Sequence, residues 1–99
     1  MLNTTKSIED GVIKFALEGR LDTVTSPNFE AEIKGSLDDA KNLILDFEKL
    51  DYISSAGLRV LLAAQKIIGG EGQMKLINVN ETIMEIFEVT GFTDILTIE

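Results

Sequence analysis

The 99-residue chain contains no cysteine, no histidine and no tryptophan, and has a single proline. Without cysteine there can be no disulfides and no thiolate metal sites. Without histidine the chain lacks the usual general base near neutral pH and the commonest metal ligand. Ordinary nucleophile–histidine triads are therefore impossible. No apolar run approaches the ~20 residues of a membrane span. The opening Met1-Leu2-Asn3-Thr4-Thr5-Lys6 is too polar for a signal peptide. A cytoplasmic location is the expectation.

What is present describes an ordinary globular chain. Hydrophobic residues make up 44% and charged residues 26%, proportions that suit a folded protein rather than a disordered one. The length suits one compact domain over residues 1–99. The formal net charge is -8. An acidic surface disfavours direct binding to nucleic acid or to an anionic membrane and suits a basic patch on a protein partner.

The hydrophobic pattern predicts eight elements. Leu2 to Ile8 reads as a weak strand, and Glu9-Asp10-Gly11 carries the Asp-Gly signal of a tight hairpin. Val12 to Glu18 alternates, with Ile13, Phe15 and Leu17 on one face. Gly19-Arg20-Leu21-Asp22 leads out of that strand. A helix is predicted from Ser26-Pro27, with Ser as N-cap and Pro as first helical residue, and with Phe29, Ile33 and Leu37 as its buried stripe. Asn42 to Phe47 reads as a central strand buried on both faces. A second helix from Ser55 to Ile68 is apolar around most of its circumference and ends at Gly69-Gly70. Met74 to Val79 suggests another strand, with Met74 and Met84 as core filling. Asn80 can cap a third helix in which Ile83, Ile86 and Phe87 fall on one side and which stops at Gly91, and Ile95 to Ile98 suggests an edge strand. The order β-β-α-β-α-β-α-β implies an α/β fold, a small mixed sheet with helices packed on it.

The most informative segment is Asp51-Tyr52-Ile53-Ser54-Ser55-Ala56-Gly57-Leu58-Arg59. It sets two hydroxyls where a strand gives way to a helix. Backbone N–H groups are unpaired there and the helix dipole is positive, so a phosphate is well tolerated. One of the two serines can simply be an N-cap. Ala56 and Gly57 can either admit a partner close to the backbone or pack against a neighbouring strand. Asp22 reads as a turn or capping residue beside the first helix, with Thr23, Thr25 and Ser26 as helix-initiating neighbours. Arg59 reads as the polar side of an apolar helix, and Asp46 as structural. Asp38, Asp39, Glu81 and Glu85 form a solvated acidic surface, without the alternation of a calcium loop, so no metal site is expected. No Ser-x-x-Lys follows Ser54 or Ser55. Gly69-Gly70-Glu71-Gly72 lacks the Gly-Lys-Ser/Thr of a phosphate loop. Neither enzymatic activity nor a cofactor is expected.

The segment resembles the STAS domain family, named from sulphate transporters and anti-sigma factor antagonists. The resemblance rests on Leu43-Ile44-Leu45-Asp46-Phe47, then Tyr52-Ile53, then Ser54-Ser55-Ala56-Gly57-Leu58. Gly19-Arg20-Leu21-Asp22 and Glu88-Val89-Thr90-Gly91-Phe92 resemble two further family elements, in the expected order. The resemblance implies partner switching. An antagonist binds an anti-sigma factor that is also a serine kinase, releases the sigma factor, is itself phosphorylated and lets go, and is reset by a PP2C-type phosphatase. It places the phosphoacceptor at Ser55, two residues before Gly57, with Ser54 as second choice. It places the partner surface at Asp22, Thr23, Ser54, Ser55, Ala56, Gly57 and Arg59. Antagonists often carry Asp where this chain has Ser54, a change that keeps the cap and removes the charge. Two other roles found among STAS proteins stay open: a non-phosphorylated subunit of a lipid-transport ATPase complex, and a nucleotide-sensing module.

Overall fold

The computed structural model describes residues 1–37, 42–69 and 72–99. Its first element is a hairpin. Asp10 and Gly11 both take positive φ, 51° and 79°, as a two-residue turn of the mirror-image type requires. Strands β1 (Leu2–Glu9) and β2 (Val12–Leu21) therefore pair antiparallel, with Glu9 opposite Val12. The chain continues through α1 (Ser26–Leu37), β3 (Asn42–Ile53), α2 (Ser55–Ile68), β4 (Gln73–Ile77), α3 (Glu81–Thr90), a short 3-10 turn (Phe92–Asp94) and β5 (Thr97–Ile98). The sheet order is β1-β2-β3-β4-β5, with every pairing after the first parallel. The element order is the expected one.

Three successive crossovers step across the sheet in one direction. Crossovers of one hand then deliver all three helices to the same face. Burial follows. Ile13, Phe15 and Leu17 of β2, Leu43, Leu45 and Phe47 of β3, and Met74 and Leu76 of β4 are buried beneath the helices. Phe15 meets Phe29 of α1 edge-on at 5.6 Å, and Phe47 lies 6.3 Å from Phe87 of α3. The alternate residues Lys14, Ile44, Asp46 and Lys75 are only half-buried. The expectation that β3 is buried on both faces is thus corrected. Among the described residues no helix covers its second face, and Ile44 is an apolar residue on an open one.

Several boundaries also differ from expectation: β4 ends at Ile77 rather than Val79, and β5 is only Thr97–Ile98, its expected start at Ile95 following the 3-10 turn. β2 runs on through Gly19 and Arg20 to Leu21, and β3 continues from Phe47 to Ile53. The partner register explains why this was hidden. Between Ala16/Glu18 and again between Gly19/Arg20 the register shifts, and β3 spends one extra residue each time. Its buried positions therefore pass from a spacing of two (Leu43, Leu45, Phe47) to a spacing of three (Leu50, Ile53), which breaks the period that marks a strand. The second helix has the expected bounds but is less enclosed than its composition suggested. Leu62 and Ala63 are half-buried, and Ile67 is 48% exposed. Met74 is in the core and Met84 is half-buried. Asp38 and Asp39, and Gly70 and Glu71 of the glycine-rich run, lie outside the described residues.

Candidate functional site

The site begins where β3 ends. Ser54 is extended (φ -96°, ψ 177°) and donates its N–H to the Leu21 carbonyl at 2.9 Å. Its own carbonyl accepts the Leu58 N–H at 2.9 Å, the first turn of α2. Its Oγ accepts from the Gly57 N–H at 3.4 Å. Ser54 is therefore the N-cap of α2, which meets one of the backbone donors left over at a helix start. Ser55 is the first helical residue and is exposed. The two serines are divided between two tasks: the first holds the helix and the second is exposed at the surface.

Gly57 settles one of the open choices. It is buried, and a Cβ there would meet Ile53 Cγ1 at 2.7 Å and both Leu21 Cγ and Leu21 O at 2.9 Å. Close packing against the strand end, rather than room for a partner, accounts for a glycine here. Ala56 beside it is half-buried and Arg59 is exposed. Leu21 thus supports α2 twice, through its carbonyl and through its side chain.

The residues after Leu21 form a tight loop against this helix start. Asp22 Oδ1 accepts the backbone N–H groups of Val24 and Thr25, each at 3.0 Å. Thr25 Oγ1 accepts the Asp22 N–H at 2.9 Å and donates to the Arg20 carbonyl at 2.9 Å. The Thr25 N–H bond, with help from Val24 N–H and the Thr25 hydroxyl and against partial burial, holds the Asp22 carboxyl below the usual carboxylate range. The Asp22 carbonyl accepts the Ser26 N–H, which begins α1. The expected capping role of Ser26 is corrected: its Oγ is buried, with no hydrogen-bond partner among the described residues. Asp22 and Thr25 organise this helix start instead. Thr23 and Val24 at the loop tip are exposed, Val24 to 83%.

Two neighbours of the site escaped sequence reasoning. Arg20 and Tyr52 are cross-strand partners, and the Arg20 guanidinium lies 4.4 Å from the Tyr52 ring centroid. Arg20 Nε also lies 3.8 Å from Asp22 Oδ2. Their pairing depends on both register shifts in β3, so no local pattern announces it. Asp46 lies elsewhere on the open sheet face, where Oδ1 accepts from Glu48 N–H and Asn78 Nδ2 and Oδ2 is 3.9 Å from Lys14 Nζ. That is the structural role expected of it. Among the described residues no cluster of three acidic side chains is placed to hold a metal ion, and no helix is long and apolar enough to cross a membrane.

The geometry therefore gathers Ser54, Ser55, Ala56, Asp22 and Thr23 at one end of the sheet, with Arg20, Val24 and Tyr52 close in the same stretch of chain. The sequence model of the STAS domain matches residues 3–99. The chain belongs to the STAS domain family. This STAS domain is 35% identical over 91 residues to BtrV of Bordetella bronchiseptica, a match covering 90% of this chain and 78% of that protein. It is 24% identical over 98 residues to the anti-sigma-B factor antagonist of Bacillus subtilis, covering 98% and 90% respectively. In three dimensions it superposes on the Bacillus cell fate determinant SpoIIAA in its phosphorylated form with a TM-score of 0.77. That match is at 19% identity and covers 98% of this chain and 91% of the other. The STAS fold is thus the fold of this chain.

Proposed function

We propose that this STAS domain is an anti-sigma factor antagonist, switched off by phosphorylation of Ser55. The observation that carries the reading is the division of labour at the start of α2: Ser54 supplies the cap, and Ser55 presents an exposed hydroxyl beside it. The name of the Bacillus subtilis relative supports the same role. The partner is an anti-sigma factor that is also a serine kinase, and the setting is cytoplasmic. Its docking face is the start of α2 together with the Asp22 loop: Asp22, Thr23, Ser54, Ser55, Ala56 and Arg59, rimmed by Val24 and Tyr52. Gly57 contributes from beneath, by letting the helix start close on Leu21.

In the unmodified state the antagonist occupies the anti-sigma factor and frees the sigma factor. The kinase partner then transfers the terminal phosphoryl group of ATP to Ser55 Oγ. The hydroxyl proton leaves to a base on the kinase, and ADP departs. Phosphoserine carries roughly -1.5 to -2 charges near neutral pH. At a helix N-terminus this charge is accommodated by backbone N–H groups and the dipole. Within an interface it must be desolvated or paired, and it repels partner carboxylates. A PP2C-type phosphatase hydrolyses the ester and restores binding.

The test is intact-mass measurement after incubation with the cognate kinase and ATP. One added phosphoryl group is expected, and Ser55→Ala should abolish it. An unchanged mass, or a phosphate that persists in Ser55→Ala, overturns the assignment.

A further inference from the structure

Strand β1 is the outer strand of the sheet. In a hairpin closed by a two-residue turn, the pair flanking the turn is hydrogen-bonded, and bonded pairs then alternate along the ladder. Glu9 and Val12 flank this turn. Asn3, Thr5, Ser7 and Glu9 therefore direct their backbone groups toward β2. Leu2, Thr4, Lys6 and Ile8 direct theirs outward, to the edge. An eight-residue edge of this kind is a template for another strand.

The side chains of those same four residues lie on the helix-bearing face. Thr4 stands opposite Leu17, Lys6 opposite Phe15 and Ile8 opposite Ile13, all buried beneath the helices. Two of the four mark the edge as unusual. Ile8 is 61% exposed. Thr4 Oγ1 donates to Glu32 Oε2 of α1 at 3.0 Å, which holds a carboxylate over the strand.

We propose that a second copy of this chain pairs with β1, antiparallel and centred on Thr5, to make a continuous ten-stranded sheet. Backbone, shape and charge select this register together. A two-fold axis perpendicular to the sheet keeps each side chain on its own face, so only residues of equal parity can oppose one another. Centring on Thr5 sets Thr4 opposite the second copy's Lys6, and Leu2 opposite its Ile8. All of these residues have outward backbone groups, so each of those pairs can be hydrogen-bonded. Lys6 of one copy then lies beside Thr4 of the other, within reach of the Glu32 carboxylate that Thr4 holds. The symmetry makes this ion pair twice. Ile8 gains Leu2 as an apolar neighbour, again twice. Centring on Lys6 would oppose two ammonium groups, and centring on Thr4 would bring two Glu32 carboxylates together, so both neighbouring registers are repulsive. Ser55 belongs to the segment after β3, two strands in from this edge, so the pairing is independent of phosphorylation.

The full chain is tested by sedimentation velocity over a concentration series. The mass should rise from 10.9 kDa toward twice that value. Lys6→Glu and Glu32→Lys should each raise the dissociation constant about tenfold or more, and the Lys6→Glu/Glu32→Lys double variant should restore association. Amide exchange read by NMR supplies the register: the N–H groups of Thr4, Lys6 and Ile8 should become protected as the mass doubles. A mass of 10.9 kDa up to the solubility limit overturns the proposal. So does a dimer that ignores both charge reversals, or one in which those three amides still exchange as in the monomer.

Discussion

Helices α1 and α2 leave the sheet at the same end, after parallel strands, and each begins with a serine. The two serines behave oppositely. Ser26 is 3% exposed, and its Oγ finds no hydrogen-bond partner among the described residues. Ser55 is exposed at the same first helical position. The difference lies in what precedes them. Before α1 the chain makes a loop, in which Asp22 and Thr25 satisfy the backbone and turn Ser26 inward. Before α2 there is no loop: β3 runs straight into the cap at Ser54, and the next side chain emerges at the surface. A serine at a helix start is thus a cap, a buried passenger or a presented hydroxyl according to the strand end that feeds it.

The largest expected effect concerns the presented serine. Phosphorylated Ser55 should weaken binding to the anti-sigma factor by about two orders of magnitude, or ~3 kcal/mol, read by calorimetric titration. Ser55→Asp should achieve only part of this, since one carboxylate is smaller and less charged than phosphate. Equal affinity for the phosphorylated and unmodified forms would remove the contrast between the two helix starts. Next comes the packing beneath α2. Gly57→Ala forces a methyl group against Ile53 and the Leu21 backbone, and should cost about 1–3 kcal/mol in denaturant unfolding. A loss below that range would mean that the strand end yields readily.

The cap of α2 is then set against the buried serine of α1. Ser54→Ala should cost about 1 kcal/mol, as loss of an N-cap does. Ser26→Ala should be close to neutral or slightly stabilising, because it removes a buried hydroxyl with no partner among the described residues. Equal losses at the two positions would mean that Ser26 is held by a bond the structure does not show. The smallest effect is electrostatic. The lowered Asp22 carboxyl stabilises the fold above the ordinary carboxylate range, and this contribution fades as pH falls through the lowered value. Thermal unfolding of Asp22→Asn should therefore lie below the unsubstituted protein at neutral pH and converge with it in acid. A constant gap across that range would assign the effect to hydrogen-bond geometry rather than charge.

Much of this arrangement was legible in the chain itself. Ser55 to Ile68 emerged from a cap, an apolar run and a glycine stop, all local signals. Asn80 caps α3 through Ile83 N–H, and Gly91 closes it in the left-handed conformation, as those residue types imply. The far half of β3 was not legible, because two register shifts replace its alternating period with one of three. The open sheet face was missed for a related reason. Ile44 makes Asn42 to Phe47 look apolar throughout, and only the sheet topology shows that no helix among the described residues reaches that side. Arg20 over Tyr52 is further removed still, since it requires knowing how two strands slip past each other. The burial of Ser26 depends on the Asp22–Thr25 turn, whereas a serine followed by proline reads as the cap of α1 itself.

The amide of Ser54 hangs on the Leu21 carbonyl, and Gly57 rests on the same residue. The helix start is therefore moored rather than hinged. A charged group added at position 55 has no lever to pull. Whatever message it carries must be written on the outside of the molecule, where only a visitor can read it.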